Sequence, residues 1–220
     1  MQRLGLFAYI WRQALASRRQ NENFLNYEAI LVLGDSNSSL PDPNQCWPAI
    51  LARKLNGNYH ISNESAPGRT IGLWGKELNS CNILKRKIPL YRSLEYIFIM
   101  LGTNDVKMCY GPPTLSEIAG NLNAIIDIIS EHQNKSQIVF LSPPPIGRKA
   151  VDNFFRGDER IQHVCNVIHS LCERRKIALI DTYSMLDADK HLEADAVHLN
   201  SFGRALIAEA VCRYLTYRQN

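Results

Sequence analysis

The chain has 220 residues, 45% of them hydrophobic and 21% charged. This composition supports a folded domain with a large core and excludes a disordered chain. The formal net charge of +4 sits in residues 1–20, which hold Arg3, Arg12, Arg18 and Arg19 and no acid. The remainder is balanced and lacks the basic footprint of a nucleic-acid binder, and no apolar run reaches the roughly 20 residues that span a bilayer.

At the N-terminus, Leu4, Phe7, Trp11 and Leu15 recur at helical spacing. A helix packed on the domain or on a second copy fits this pattern. An interfacial membrane helix fits it too, since Trp and Phe beside arginines suit a headgroup layer. The apolar run behind Arg3 also has the outline of a cleaved signal, although Arg12 interrupts it. The cytoplasm is the expected compartment, with peripheral membrane attachment and export both left open by this segment.

Downstream, short apolar runs alternate with longer helical patterns. Ala29–Leu33 is predicted to be a strand, Pro48–Leu55 a helix and Asn58–Ser62 a strand. Tyr96–Leu101 is a strand, Leu115–Ile129 a helix, Ile138–Leu141 a strand, Arg160–Arg175 a helix, Ile177–Ile180 a strand and Ser201–Tyr214 a helix. Strands apolar throughout are buried on both faces, as in a parallel sheet between helices. The predicted fold is α/β, a three-layer α/β/α sandwich with a parallel sheet of about five strands. Six cysteines form no C-x-x-C pair, so they are expected as free, mostly buried thiols.

In such sheets ligands bind beyond the carboxyl ends of the strands. The polar residues there come from distant parts of the sequence: Gly34-Asp35-Ser36-Asn37, Asn63 to Thr70, Gly102-Thr103-Asn104-Asp105 and Ser142-Pro143-Pro144-Pro145. Asp195-Ala196-Val197-His198 precedes the last helix. Acyl transfer needs a hydroxyl, a base, a carboxylate that orients the base, and donors for the oxyanion. Ser36 supplies a hydroxyl, and His198 a base, because an imidazole exchanges its proton closer to neutral pH than other unperturbed side chains. Asp195, three residues earlier, can reach His198 across a turn. Backbone N–H groups of Ser36 and Gly68 and the side-chain amide of Asn104 are the candidate oxyanion donors.

Each block read singly is also good turn or cap chemistry. Asp35 suits a helix cap or a brace for the serine loop, and also a substrate contact. Arg69 suits an anionic substrate group or a nearby acid. Trp74 and Ile71 suit an acyl pocket or the core. Asp105 is expected to fix its loop, and Ser38, Ser39 and Ser65 are weaker nucleophile candidates than Ser36. His60, His132, His163, His169 and His191 show no metal-ligand spacing, so neither metal nor cofactor is expected. Residues 143–158 form a long connection in which Phe154 and Phe155 suit either a lid or the core.

The blocks "VLGDSNS" around Ser36, "NESAPGRT" around Gly68, "MLGTND" around Asn104 and "DAVHLN" with Asp195 and His198 resemble the SGNH (GDSL-type) hydrolase superfamily in order and spacing. The resemblance runs from Ala29 to the C-terminus and assigns residues 26–220 to one hydrolase domain, with 1–25 as a separate basic amphipathic segment. It implies a flavodoxin-like fold and metal-free hydrolysis of esters or thioesters through an acyl-enzyme. It also implies Ser36, Asp195 and His198 as catalytic residues, with Ser36, Gly68 and Asn104 around the oxyanion. Asn37 stands where the family's namesake motif has Leu. The flavour is closest to bacterial arylesterases and small-acyl esterases. The expected partner is a small acyl ester or thioester; a peripheral membrane or a second copy is the expected contact of residues 1–20. Thioesterase, lysophospholipase, carbohydrate deacetylase and acyltransferase activities share this triad. A lipid- or carbohydrate-binding module on an inactive scaffold is the non-enzymatic alternative. A α/β-hydrolase is disfavoured because Gly34 to Ser38 is not G-x-S-x-G.

Overall fold

The computed structural model describes residues 28–72, 78–110 and 114–218. The amphipathic N-terminal segment and Trp74 lie outside the described residues. In chain order, β1 (Glu28–Gly34) leads into a one-turn helix α1 (Ser36–Ser39), then α2 (Trp47–Lys54) and β2 (Tyr59–Asn63). Next come α3 (Ser80–Lys87), β3 (Tyr96–Met100), α4 (Leu115–His132) and β4 (Gln137–Leu141). The chain continues through α5 (Gly157–Arg175), β5 (Ala178–Ile180), the single turns α6 (Thr182–Met185) and α7 (Ala188–His191), and α8 (Ser201–Arg218).

The five strands form one parallel sheet in the order β2-β1-β3-β4-β5. Successive side chains on a strand point to opposite faces, and the core divides accordingly. Leu31, Leu33, Ile97, Ile99 and Phe140 pack with Leu84 of α3, Ile125 of α4 and Ile168 of α5. Ile30, Val32, Phe98, Met100 and Leu141 pack on the other face with Trp47 and Leu51 of α2 and Ile207 and Val211 of α8. Burying each such Ile, Leu or Phe stabilises the fold by about 1.5–3 kcal/mol. This two-sided burial explains the unbroken apolar strands.

The register positions the site. Gly34 pairs with Met100, Met100 with Leu141, and Leu141 with Ile180. Four strands therefore end at one level, and the loops after them share one edge. The chain leaves β1 toward β2 on one side and returns to β3 on the other. That order makes the gap between the β1 and β3 ends the topological switch point, where such sheets bind ligands. Ser36 follows one of these strands and Asn104 the other.

Candidate active site

The β1 strand ends where Asp35 stops it. The Asp35 carboxylate accepts the Asn37 N–H at 2.9 Å and caps α1, so Ser36 is its first residue. At Gly34 a Cβ would lie 2.4 Å from Ser38 Oγ and 2.9 Å from Ser65 Oγ, so glycine alone permits this close approach. The neighbouring hydroxyls serve the frame: Ser38 Oγ accepts the Trp47 indole N–H at 3.0 Å, and Ser39 Oγ donates to the Asp35 carbonyl.

His198 Nε2 lies 3.0 Å from Ser36 Oγ, and its Nδ1 lies 2.5 Å from Asp195 Oδ2. The other Asp195 oxygen accepts the backbone N–H groups of Val197 and His198 at 2.9 and 3.0 Å. Burial alone would raise the Asp195 pKa, but the hydrogen bonds from His198 and Val197 outweigh it and hold the carboxyl below its ordinary value. Ala196 takes a left-handed conformation (φ 57°) inside this turn. Its carbonyl accepts the Gly147 N–H at 2.8 Å, tying the histidine loop to the loop after β4. The histidine loop also reaches the serine turn directly, because the Leu199 N–H donates to Asn37 Oδ1 at 3.0 Å.

Ala66-Pro67-Gly68-Arg69 is a tight turn closed by Arg69 N–H to the Ala66 carbonyl at 3.2 Å. With Pro second and Gly68 third at φ 79°, it has the form of a type II turn. The Ala66 N–H donates to the Gly34 carbonyl, which places this turn beside the end of β1. Asn104 opens a one-turn 3₁₀ helix after β3 and is buried. One Asn104 Nδ2 hydrogen goes to the Arg69 carbonyl at 3.0 Å, and an amide nitrogen has a second to offer.

Three buried ionisable groups complete this region. Asp105 accepts the Ile71 N–H with both oxygens at 3.0 Å. Burial raises its pKa to about 7, with Asp35 adding to the rise against the Ile71 hydrogen bond. Burial likewise raises Asp35 to about 6, against the hydrogen bond from Asn37 and the charge of His198. Burial lowers the Arg69 pKa, opposed by the charges of Glu64 and Asp35, and its guanidinium donates to the Glu64 carbonyl. Asp35 and Arg69 thus have protein partners in the buried frame of the site. Ile71 belongs to the core.

Residues 143–158 split between two roles. Pro143 to Ile146 are buried, and the Ile146 N–H donates to Asp158. Phe154 is half-buried against the core, with the Lys107 ammonium 5.5 Å from its ring centroid, whereas Phe155 is exposed. Asn153 accepts the Cys109 N–H at 3.2 Å, so the loops after β3 and β4 are joined. Among the described residues, no group of three or more His, Cys, Asp or Glu side chains is placed to hold a metal ion. No described helix is long and apolar enough to cross a membrane.

A parallel-sheet edge carrying a hydroxyl, an imidazole and a carboxylate in one hydrogen-bonded line has the layout of a hydrolase. The chain belongs to the GDSL-like lipase/acylhydrolase family, whose sequence profile matches residues 32–206. It is a carboxylic ester hydrolase of the SGNH superfamily. No curated protein sequence matches it. Solved structures are similar to it in fold. Est24, a carbohydrate acetylesterase from Sinorhizobium meliloti, superimposes with a TM-score of 0.77 at 21% identity, over 86% of this chain and 99% of that one. The inhibitor-bound aryl esterase of M. smegmatis gives 0.75 at 20% identity, over 86% and 99%. A lipase/acylhydrolase from Enterococcus faecalis gives 0.70 at 20% identity, over 87% and 96%.

Proposed function

We propose that the protein is a serine esterase that cleaves esters of a modest acyl group through an acyl-enzyme, with Ser36 as nucleophile. The observation that carries this is the line from Ser36 Oγ to His198 Nε2 (3.0 Å) and from His198 Nδ1 to Asp195 Oδ2 (2.5 Å). With Nδ1–H held by Asp195, Nε2 is free to accept the Ser36 proton as Oγ attacks the ester carbonyl. His198 then protonates the leaving alkoxide. Water attacks the acyl-Ser36 carbonyl, giving a proton to His198, which returns it to Ser36 as the acid leaves. The Gly68 N–H, the Ser36 N–H and the second Asn104 Nδ2 hydrogen stabilise the oxyanion in both halves.

The family supports ester hydrolysis. The likeness to an acetylesterase and an aryl esterase supports a small acyl group. The test is a panel of p-nitrophenyl esters from acetate to octanoate, with acetylated sugars, acyl-CoAs and lysophospholipids beside them. Turnover should be fastest with the short esters and absent in Ser36→Ala. A preference for long acyl chains would overturn the acyl assignment. Full activity of Ser36→Ala would overturn the nucleophile.

A further inference from the structure

Asn37 immediately follows the nucleophile, and Leu199 immediately follows the histidine. The Leu199 N–H donates to Asn37 Oδ1 at 3.0 Å, in a buried contact between residues 162 apart in sequence. Ser36 Oγ and His198 Nε2 are themselves 3.0 Å apart. These two contacts and the two peptide links between them close a ring. Asn37 is only 2% exposed, and its own N–H is fixed on Asp35 Oδ1 at 2.9 Å. The acceptor that receives the histidine loop is therefore anchored to the cap that sets α1.

The other backbone ties of the histidine loop run elsewhere. The His198 carbonyl accepts the Glu193 N–H, Asn200 N–H goes to His191, and the Ala196 carbonyl accepts from Gly147. The Leu199 carbonyl accepts from Arg204. None of these reaches the serine turn. Asn37 Nδ2 is buried and has no hydrogen-bond partner among the described residues. Leucine would leave no such orphan and would fill similar space. On packing alone, then, Leu would serve as well as Asn; what it lacks is the acceptor oxygen.

We infer that Asn37 is a positioning residue: its side-chain carbonyl sets the distance and direction of His198 toward Ser36. The inference rests on the reading of Ser36 and His198 as the reacting pair. Without the acceptor, the buried Leu199 N–H loses its partner, and the loop that carries the imidazole is no longer held against the serine turn. Displacements of this kind slow the reaction without weakening substrate binding. Asn37→Leu should lower kcat by about 10- to 100-fold, since misplacing a reacting group by about 1 Å costs up to this much. KM should stay within about two-fold, because no substrate contact is lost.

The experiment compares Asn37→Leu, Asn37→Ala and Asn37→Asp by kcat and KM on p-nitrophenyl acetate, by the rate of fluorophosphonate labelling, and by melting temperature. Asp keeps an acceptor oxygen but adds a buried charge beside Asp35. It should therefore be the least stable of the three and yet more active than Leu or Ala. Leu leaves the buried Leu199 N–H without an acceptor, so it should melt a few degrees below the native protein, stay more stable than Asp, and label more slowly by the same factor as its kcat. A merely structural role would make activity follow stability. If Asn37→Leu does not fold, Asn37→Ala carries the same comparison against Asp. Native kcat in Leu or Ala, or an Asp variant no more active than they are, would overturn the inference. Ser36→Ala in the same assay separates the two readings: if it is dead while Asn37→Leu is fully active, only the role of Asn37 falls.

Discussion

Asn104 donates its side-chain amide to the Arg69 carbonyl at 3.0 Å. One residue after Asn104, Asp105 accepts with both oxygens the N–H of Ile71, which lies two residues after Arg69. The turn that carries Gly68 and the loop that carries Asn104 are thus braced together at two points before any substrate arrives. Donors fixed in this way cost no reorganisation as charge develops on the oxyanion.

Removing one of these donors should show in the rate. Asn104→Ala is expected to lower kcat on p-nitrophenyl acetate by roughly 10²–10³-fold with little change in KM. Steady-state kinetics test this directly; a rise in KM at unchanged kcat would instead mark Asn104 as a ground-state contact.

Asp195→Asn separates orientation from charge. Asn Oδ1 can still accept the Val197 and His198 N–H groups that Asp195 Oδ1 accepts now. The amide then faces His198 Nδ1 as a donor and forces the proton onto Nε2, the atom that must accept from Ser36. The expected loss in kcat is roughly 10³–10⁴-fold near neutral pH, with a nearly unchanged melting temperature. A large fall in melting temperature would assign Asp195 a chiefly structural part.

Asp35 and Asp105 make stability depend on pH. Their folded pKa values, about 6 and about 7, lie above the ordinary 3.8. Between these limits the folded protein holds protons that the unfolded chain has released, so stability falls as pH rises. Their contribution is greatest below about pH 4 and declines through pH 6 and 7. Asp105→Asn cannot ionise. The drop in melting temperature between pH 5 and pH 8 should therefore be smaller by several degrees in this variant than in the native chain. An equal drop in both would remove Asp105 as a source of the dependence.

Much of this arrangement is legible in the residues themselves. The apolar runs at Ala29–Leu33 and Tyr96–Leu101 mark doubly covered strands, and the parallel register then brings their polar successors to one edge. Helix α3 was not expected. It is short, its buried side chains are Ser80, Ile83 and Leu84, and its last turn is Lys85, Arg86 and Lys87, so it shows little apolar period. Helix α5 begins at Gly157, earlier than the predicted Arg160, because its first turn is mostly polar and carries no apolar stripe. Asn37 was visible only as a departure from the family's serine block. Its link to Leu199 spans 162 positions, a distance over which no local pattern carries information. The Ile71 partner of Asp105, 34 positions away, was hidden for the same reason, whereas the Glu64 neighbour of Arg69 lies only five residues off and fits the nearby acid expected for it.

The most direct test of Ser36 as nucleophile is covalent. The folded protein is treated with a fluorophosphonate probe, digested, and its labelled peptide mapped by mass spectrometry. One adduct per chain on Ser36 is expected, lost in Ser36→Ala and strongly slowed in His198→Ala. Labelling of another serine, or undiminished labelling of Ser36→Ala, would contradict the assignment.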